Sequence, residues 1–253
     1  MSSLPLQNTD MVSYQRPAFP DVAFRDASGA VIDYGRRWHG GSPPEGTYTV
    51  STHPERFAPL HAVAEALIEY LLRQYEASSR VAADLMAGRD DVVRAVRITP
   101  ANADAAPITF AFTGYPGVVV QAGLLHAFHF PACGCDACDE TAEALSDEME
   151  ETVMAVTEGR YQETLDAGTN SRRPPGRWAA LAAQLEPRSS KPRIVERDAG
   201  DRVGYLIVAS DGSHRRSGWA ALGSSDPADR LAAAKLVLDR LEDGWQPWSL
   251  RQA

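Results

Sequence analysis

Apolar residues recur at three- and four-residue steps in three stretches of this chain and gather into short, nearly continuous runs in others. Phe57, Leu60, Ala64, Leu67, Ile68, Leu71 and Tyr75 make the first stripe, and Thr52-His53-Pro54-Glu55 before it has the Ser/Thr-x-x-Glu form of a capping box. The spacing predicts a helix there. Ala142, Leu145, Met149, Val153 and Val156 make a second helical stripe, with Asp139 placed as its cap. A third follows Asp226-Pro227 and carries Leu231, Ala234, Leu238 and Leu241, with Gly244 available to end it.

Between Val92 and Phe130 the period changes. VVRAVRIT, PITFAFT and GVVVQAGLLHAFHF are rich in β-branched and aromatic residues, and Gly114-Tyr115-Pro116-Gly117 between the last two predicts a tight turn. An antiparallel sheet is expected. If residues 124–130 form a strand, alternation puts His126 on one face with Phe128 and Phe130, and His129 on the other. DVAFRDASGAVIDYG predicts two brief strands about Asp26-Ala27-Ser28-Gly29. RIVER, VGYLIVAS and RRSGWAALG, separated by Gly200-Asp201 and Asp211-Gly212, predict a three-stranded meander.

The expected class is therefore α+β: an antiparallel sheet packed with helices, a strand-to-helix loop after residue 130, and a C-terminal meander plus helix. Composition divides the chain into a flexible lead-in (1–18), an α+β core (19–167), a connector rich in Pro, Arg and Ser (168–193) and a C-terminal segment (194–253) that belongs to the same domain or stands apart.

With 253 residues, 44% of them hydrophobic, the chain can bury a core without staples. No apolar run reaches the ~20 residues of a membrane span, and the N-terminus has neither a basic start nor an apolar stretch. The expected location is the cytoplasm, with no membrane partner. A formal charge of −9 argues against a nucleic-acid duplex as partner.

All three cysteines fall within six residues, in HFPACGCDACDE. An odd, clustered set is a poor disulfide framework, whereas thiols spaced C-x-C-x-x-C in a reducing compartment suit a metal ion. Cys133, Cys135 and Cys138 are the candidate ligands, and Gly134 permits the positive φ so tight a turn asks for. The expected ion is zinc, which takes four ligands; His129 is preferred for the fourth position, over His126, Asp136, Asp139 or water. From Asp136 to Asp166 there are eleven acidic residues against the single Arg160. Thiolates set among so many carboxylates favour a bound cation.

Two other uses of these residues compete. Cys135-Asp136-Ala137-Cys138 at a helix start has the spacing of a thiol redox enzyme, although its acidic neighbours would raise the thiol pKa and no βαβ pattern leads into it. The acidic helix after it could instead meet a basic protein partner. Arg36-Arg37-Trp38-His39-Gly40-Gly41 offers cations to an anion or is a plain surface loop, and the same alternatives hold for Arg172–Trp178. Trp245 and Trp248 are expected to pin the C-terminus to the core. There is no H-E-x-x-H, no deaminase H-x-E coupled to P-C-x-x-C, no Gly-rich phosphate loop and no G-x-S-x-G.

PGVVVQAGLLHAFHFPACGCDACDE, with THPERFAPLH upstream and the DGWQPW ending, resembles a family of uncharacterised bacterial proteins of unknown function, over most of the chain after the lead-in. CGCDACDE is the most specific part of that resemblance. It implies one recurrent unit and brings no catalytic residue with it.

Overall fold

The computed structural model describes residues 13–82, 90–166, 202–213, 215–221 and 228–252. Residues 1–12 of the expected lead-in, the connector 168–193, Arg172–Trp178, RIVER, the Gly200-Asp201 turn and the Asp226-Pro227 helix start lie outside them. Within these residues the chain forms three α-helices and two antiparallel sheets, an α+β fold. No helix among them is long and apolar enough to cross a membrane.

The five-stranded sheet runs in chain order: β1 (Ala77–Val81), β2 (Val92–Pro100), β3 (Ile108–Thr113), β4 (Gly117–Ala122) and β5 (His126–Phe130). The apolar run GVVVQAGLLHAFHF makes two strands, because Gly123 takes a φ of +68° and turns the chain. Register aligns Val96, Phe110, Val120 and Phe128 into one cross-strand row. That row faces the main core. Two helices cover it, α1 (Pro59–Gln74) through Leu60, Val63, Ala64, Leu67, Ile68 and Leu71, and α2 (Ala142–Thr157) through Leu145, Met149, Val153 and Val156. Trp245 and Trp248 are buried in the same core, and Trp248 Nε1 donates to Ala106 O at 2.9 Å.

The second sheet has three strands among the described residues, two of them the expected VGYLIVAS and RRSGWAALG. β6 (Tyr161–Asp166) pairs with β7 (Arg202–Val208), which pairs with β8 (Arg215–Ala221). β6 comes directly after α2. Helix α3 (Ala228–Arg240) follows, and Ala234 is buried against Val203 and Leu125. The stretch around Asp26–Gly29 closes its turn but makes only one β-bridge, Arg25 to Val31, instead of two strands.

The capping box expected at Thr52–Glu55 does not form. Residues 54–57 make a short 3-10 turn, α1 begins at Pro59 behind Ala58, and Thr52 is used elsewhere. Nor is Asp139 the cap of α2: Thr141 holds that place, its Oγ1 accepting from the Ala144 amide at 3.2 Å. Asp139 has a φ of +53° and turns its carboxylate away from the helix, to accept from Arg37 N. Several acids of α2 are paired inside the chain. Arg16 reaches Asp147 and Glu150 at 2.5 Å each, Tyr14 donates to Glu150, and Arg216 pairs with Glu148. That leaves less of the acidic face for a basic partner.

One buried carboxylate ties the two sheets together. Glu163 on β6 accepts the amides of Leu124 (2.9 Å), Leu125 (2.7 Å) and His126 (2.6 Å), so it closes the β4–β5 turn from the other sheet. Burial pushes its carboxyl up to about 7, against the pull of the three amides and Arg230. The folded state thus holds the proton more tightly than the unfolded chain, whose ordinary value is 4.5. Its contribution to stability is complete below that value and fades as pH rises toward 7, by on the order of 3 kcal/mol. Nearby His126 runs the other way: burial lowers it to about 4, so its stabilising effect is lost as pH falls from 6.5. Glu163→Gln isolates the first effect. Urea titrations of parent and variant between pH 4.5 and 7 should show the parent losing stability relative to the variant as pH rises, and parallel profiles would contradict it.

Candidate metal centre

The strand-to-helix loop is where the sequence places it, between the end of β5 at Phe130 and the start of α2 at Ala142. The side-chain ligand atoms of Cys133, Cys135 and Cys138 all lie within 4.8 Å of one another. Cys135 Sγ is 3.5 Å from Cys138 Sγ. Around a tetrahedral zinc with Zn–S near 2.3 Å, adjacent sulfurs stand about 3.8 Å apart, so the three thiols need little movement to close on one ion. Cys135 is buried, and Cys133 and Cys138 are exposed. The cluster is rooted at its middle cysteine and open at its flanks.

The loop's tight path follows from local constraints. Gly134 sits at φ +75°, and a Cβ there would come within 2.5 Å of the Tyr115 hydroxyl. Gly134→Ala should cost about 1–2 kcal/mol, from left-handed strain and displacement of Tyr115. Thermal denaturation of the variant tests this, and an unchanged midpoint would contradict it.

Electrostatics separates the sulfurs. Burial pushes Cys135 up, but hydrogen bonds from Cys133, the Cys138 and Ala137 amides and the Cys138 thiol outweigh it, leaving this thiol below its ordinary value. Cys138 is pushed up to about 12, by burial first and then by the neighbouring sulfurs. Cys138 beside the other two sulfurs resists losing its proton unless a cation takes its place.

The loop is also the anchor of the segment before α1. Asp136 N donates to Val50 O at 2.7 Å and Ala137 N to Thr47 O at 3.1 Å. Trp38 Nε1 donates to Ala137 O at 3.2 Å. The Gly134 carbonyl accepts from Ser51 Oγ at 2.8 Å and Arg56 Nη2 at 3.1 Å. Residues 13–57 contain only 3-10 turns and a single bridge, so these bonds to the loop stand in for the secondary structure the segment lacks.

At the centre lies Asp136, 3% exposed. It accepts from the Thr52 amide at 3.0 Å and from the Thr52 hydroxyl, with Arg37 Nη1 at 3.4 Å and Arg56 Nη1 at 4.0 Å. Burial raises its pKa, yet these donors and Arg37 bring it below the ordinary value. Among the described residues, the three cysteines are the only group of ligand-type side chains that converges on one point. Asp136 is committed to Thr52, Arg37 and Arg56. His126 is buried between Phe128 and Tyr205, with ring centroids at 4.5 and 4.3 Å. His129 is on the exposed side of β5, opposite His126 as alternation requires, and lies outside the thiol group.

Sequence reasoning missed Arg56, Thr52, Arg37 and Trp38 as supports of the loop. Thr52 and Asp136 are 84 positions apart, and nothing in either neighbourhood signals the other. A family model described as a family of unknown function (DUF6226) matches residues 20–252. No curated protein matches the chain, and no solved structure does.

Proposed function

Since the chain belongs to that family of unknown function, no activity comes to it by membership, and we propose from the site itself that it is a zinc-binding protein whose metal fixes the cysteine loop. Cys133, Cys135 and Cys138 hold the ion as thiolates, and His129 or a water completes the four. The observation that carries this reading is the convergence of three sulfurs within 4.8 Å. The charge is favourable too: a dication offsets thiolates set beside Asp136, Asp139 and Glu140. A cytoplasmic location belongs to the same proposal, because clustered free thiols persist as ligands where the medium is reducing.

When bound, zinc supplies a rigid tetrahedral junction and a Lewis acid. The chain's own residues do the rest. Asp136, Thr52 and Arg56 hold the loop backbone, and the loop in turn holds residues 34–57. X-ray absorption at the zinc edge of the purified protein tests the ligand set. Three sulfurs near 2.3 Å with one lighter donor support it, and a shell without sulfur overturns it. If His129→Ala keeps its zinc, water fills the fourth position.

A second reading has one observation in its favour, the 3.5 Å separation of Cys135 and Cys138 with Cys135 held below its ordinary pKa. On this reading the pair works as a thiol–disulfide couple in a redox enzyme. It expects the metal-free protein to react with a thiol reagent near neutral pH. Inert thiols under those conditions would remove it.

A further inference from the structure

A groove lies beside this loop. Gly35, Arg36, Trp38, His39 and Gly40 line a groove of about 590 Å³ together with Asp139, the residue after the last cysteine. Small-molecule sites run from roughly 300 to 1,000 Å³, so the volume suits a metabolite-sized ligand.

The groove is built, not a gap between mobile turns. Arg36 N donates to Asp33 O at 3.1 Å, His39 N to Arg36 O at 3.2 Å and Gly41 N to Trp38 O at 2.7 Å. Arg37 N is fastened to Asp139 Oδ2 at 2.9 Å, and the Trp38 indole to Ala137 O. His39 (φ +47°) and Asp139 (φ +53°) are the two non-glycine residues with positive φ among those described, and both line this groove. Backbone held in that region tends to be retained where a site needs it.

Charge decides what would fit. Arg36 is exposed and forms no ion pair among the described residues. Asp139 brings a carboxylate whose Oδ2 accepts from Arg37 N and whose Oδ1 is buried without a hydrogen-bond partner, an acceptor still in need of a donor. A plain anion favoured by Arg36 would meet Asp139, and a plain cation favoured by Asp139 would meet Arg36. A ligand with both charges satisfies each with its opposite. Trp38 adds an aromatic wall, pinned by its own N–H. We infer that this groove is a binding site for a small zwitterion of the α-amino acid class, its carboxylate toward Arg36 and its ammonium toward Asp139.

The site is separate from the metal, and the experiment keeps the two apart. Full-length metal-replete protein, labelled with ¹⁵N, is titrated with L-phenylalanine, with 3-phenylpropionate, which lacks the ammonium, and with 2-phenylethylamine, which lacks the carboxylate. Saturable shifts confined to residues 35–41 and 138–140 are expected with L-phenylalanine, at least fivefold weaker with either analogue. Arg36→Met, an exposed position with no fold to lose, should weaken L-phenylalanine by a similar factor. Zinc content, measured on the same samples, should not change with Arg36→Met. No saturable shift, equal binding of 3-phenylpropionate, or indifference to Arg36→Met would each overturn the proposal, whatever the zinc content shows.

Discussion

Cys135→Ser is expected to remove stoichiometric zinc and to lower the melting temperature by roughly 10 °C in zinc-containing buffer. Cys135 is the ligand with most to lose: it is buried, it hydrogen-bonds to Cys138, and it adjoins Asp136, which locks the loop to Thr52. Metal bound only by the folded state stabilises it by RT ln(1 + [L]/Kd), about 4 kcal/mol when free zinc exceeds Kd a thousandfold. For a domain of this size each kcal/mol moves the midpoint by about 2–4 °C. Chelating the parent protein should give the same shift, and chelating the variant should give none. A variant that keeps both its metal and its midpoint would contradict the account.

Asp136→Ala should be as costly without touching a ligand, about 3–5 kcal/mol. Asp136 and Arg56 are 3% and 5% exposed, so truncation leaves a buried guanidinium without its carboxylate and strips Thr52 of both its acceptors. Asp136→Asn keeps an acceptor for Thr52 and should cost less. Urea denaturation of the two variants measures the difference. Equal losses would mean that charge adds nothing here, and a loss under about 1 kcal/mol for the alanine variant would mean that the loop does not depend on Asp136.

The stripes that define α1 and α2 were legible because burial on one helix face is a local, periodic demand. The same holds for the alternation that set His126 and His129 on opposite faces of β5. The cysteine cluster was legible because its three thiols are close together in sequence. What the sequence hid was long-range or backbone-driven. The turn after Gly123 is closed by Glu163, from another sheet. Thr52 and Asp139 have the residue types of helix caps, yet each serves a contact about a hundred residues away or less that no local spacing announces: Thr52 with Asp136, Asp139 with Arg37. β1, ASSRV, has little apolar pattern and gains its place by pairing with β2 at the edge of the sheet.

Metal stoichiometry tests the central claim most directly. Elemental analysis of untagged protein purified without added metal, with thiols titrated before and after denaturation, should give about one zinc per chain and three thiols that react only once the fold is opened. No metal, with thiols reacting freely in the native protein, would contradict the account and shift the weight to redox chemistry of Cys135 and Cys138.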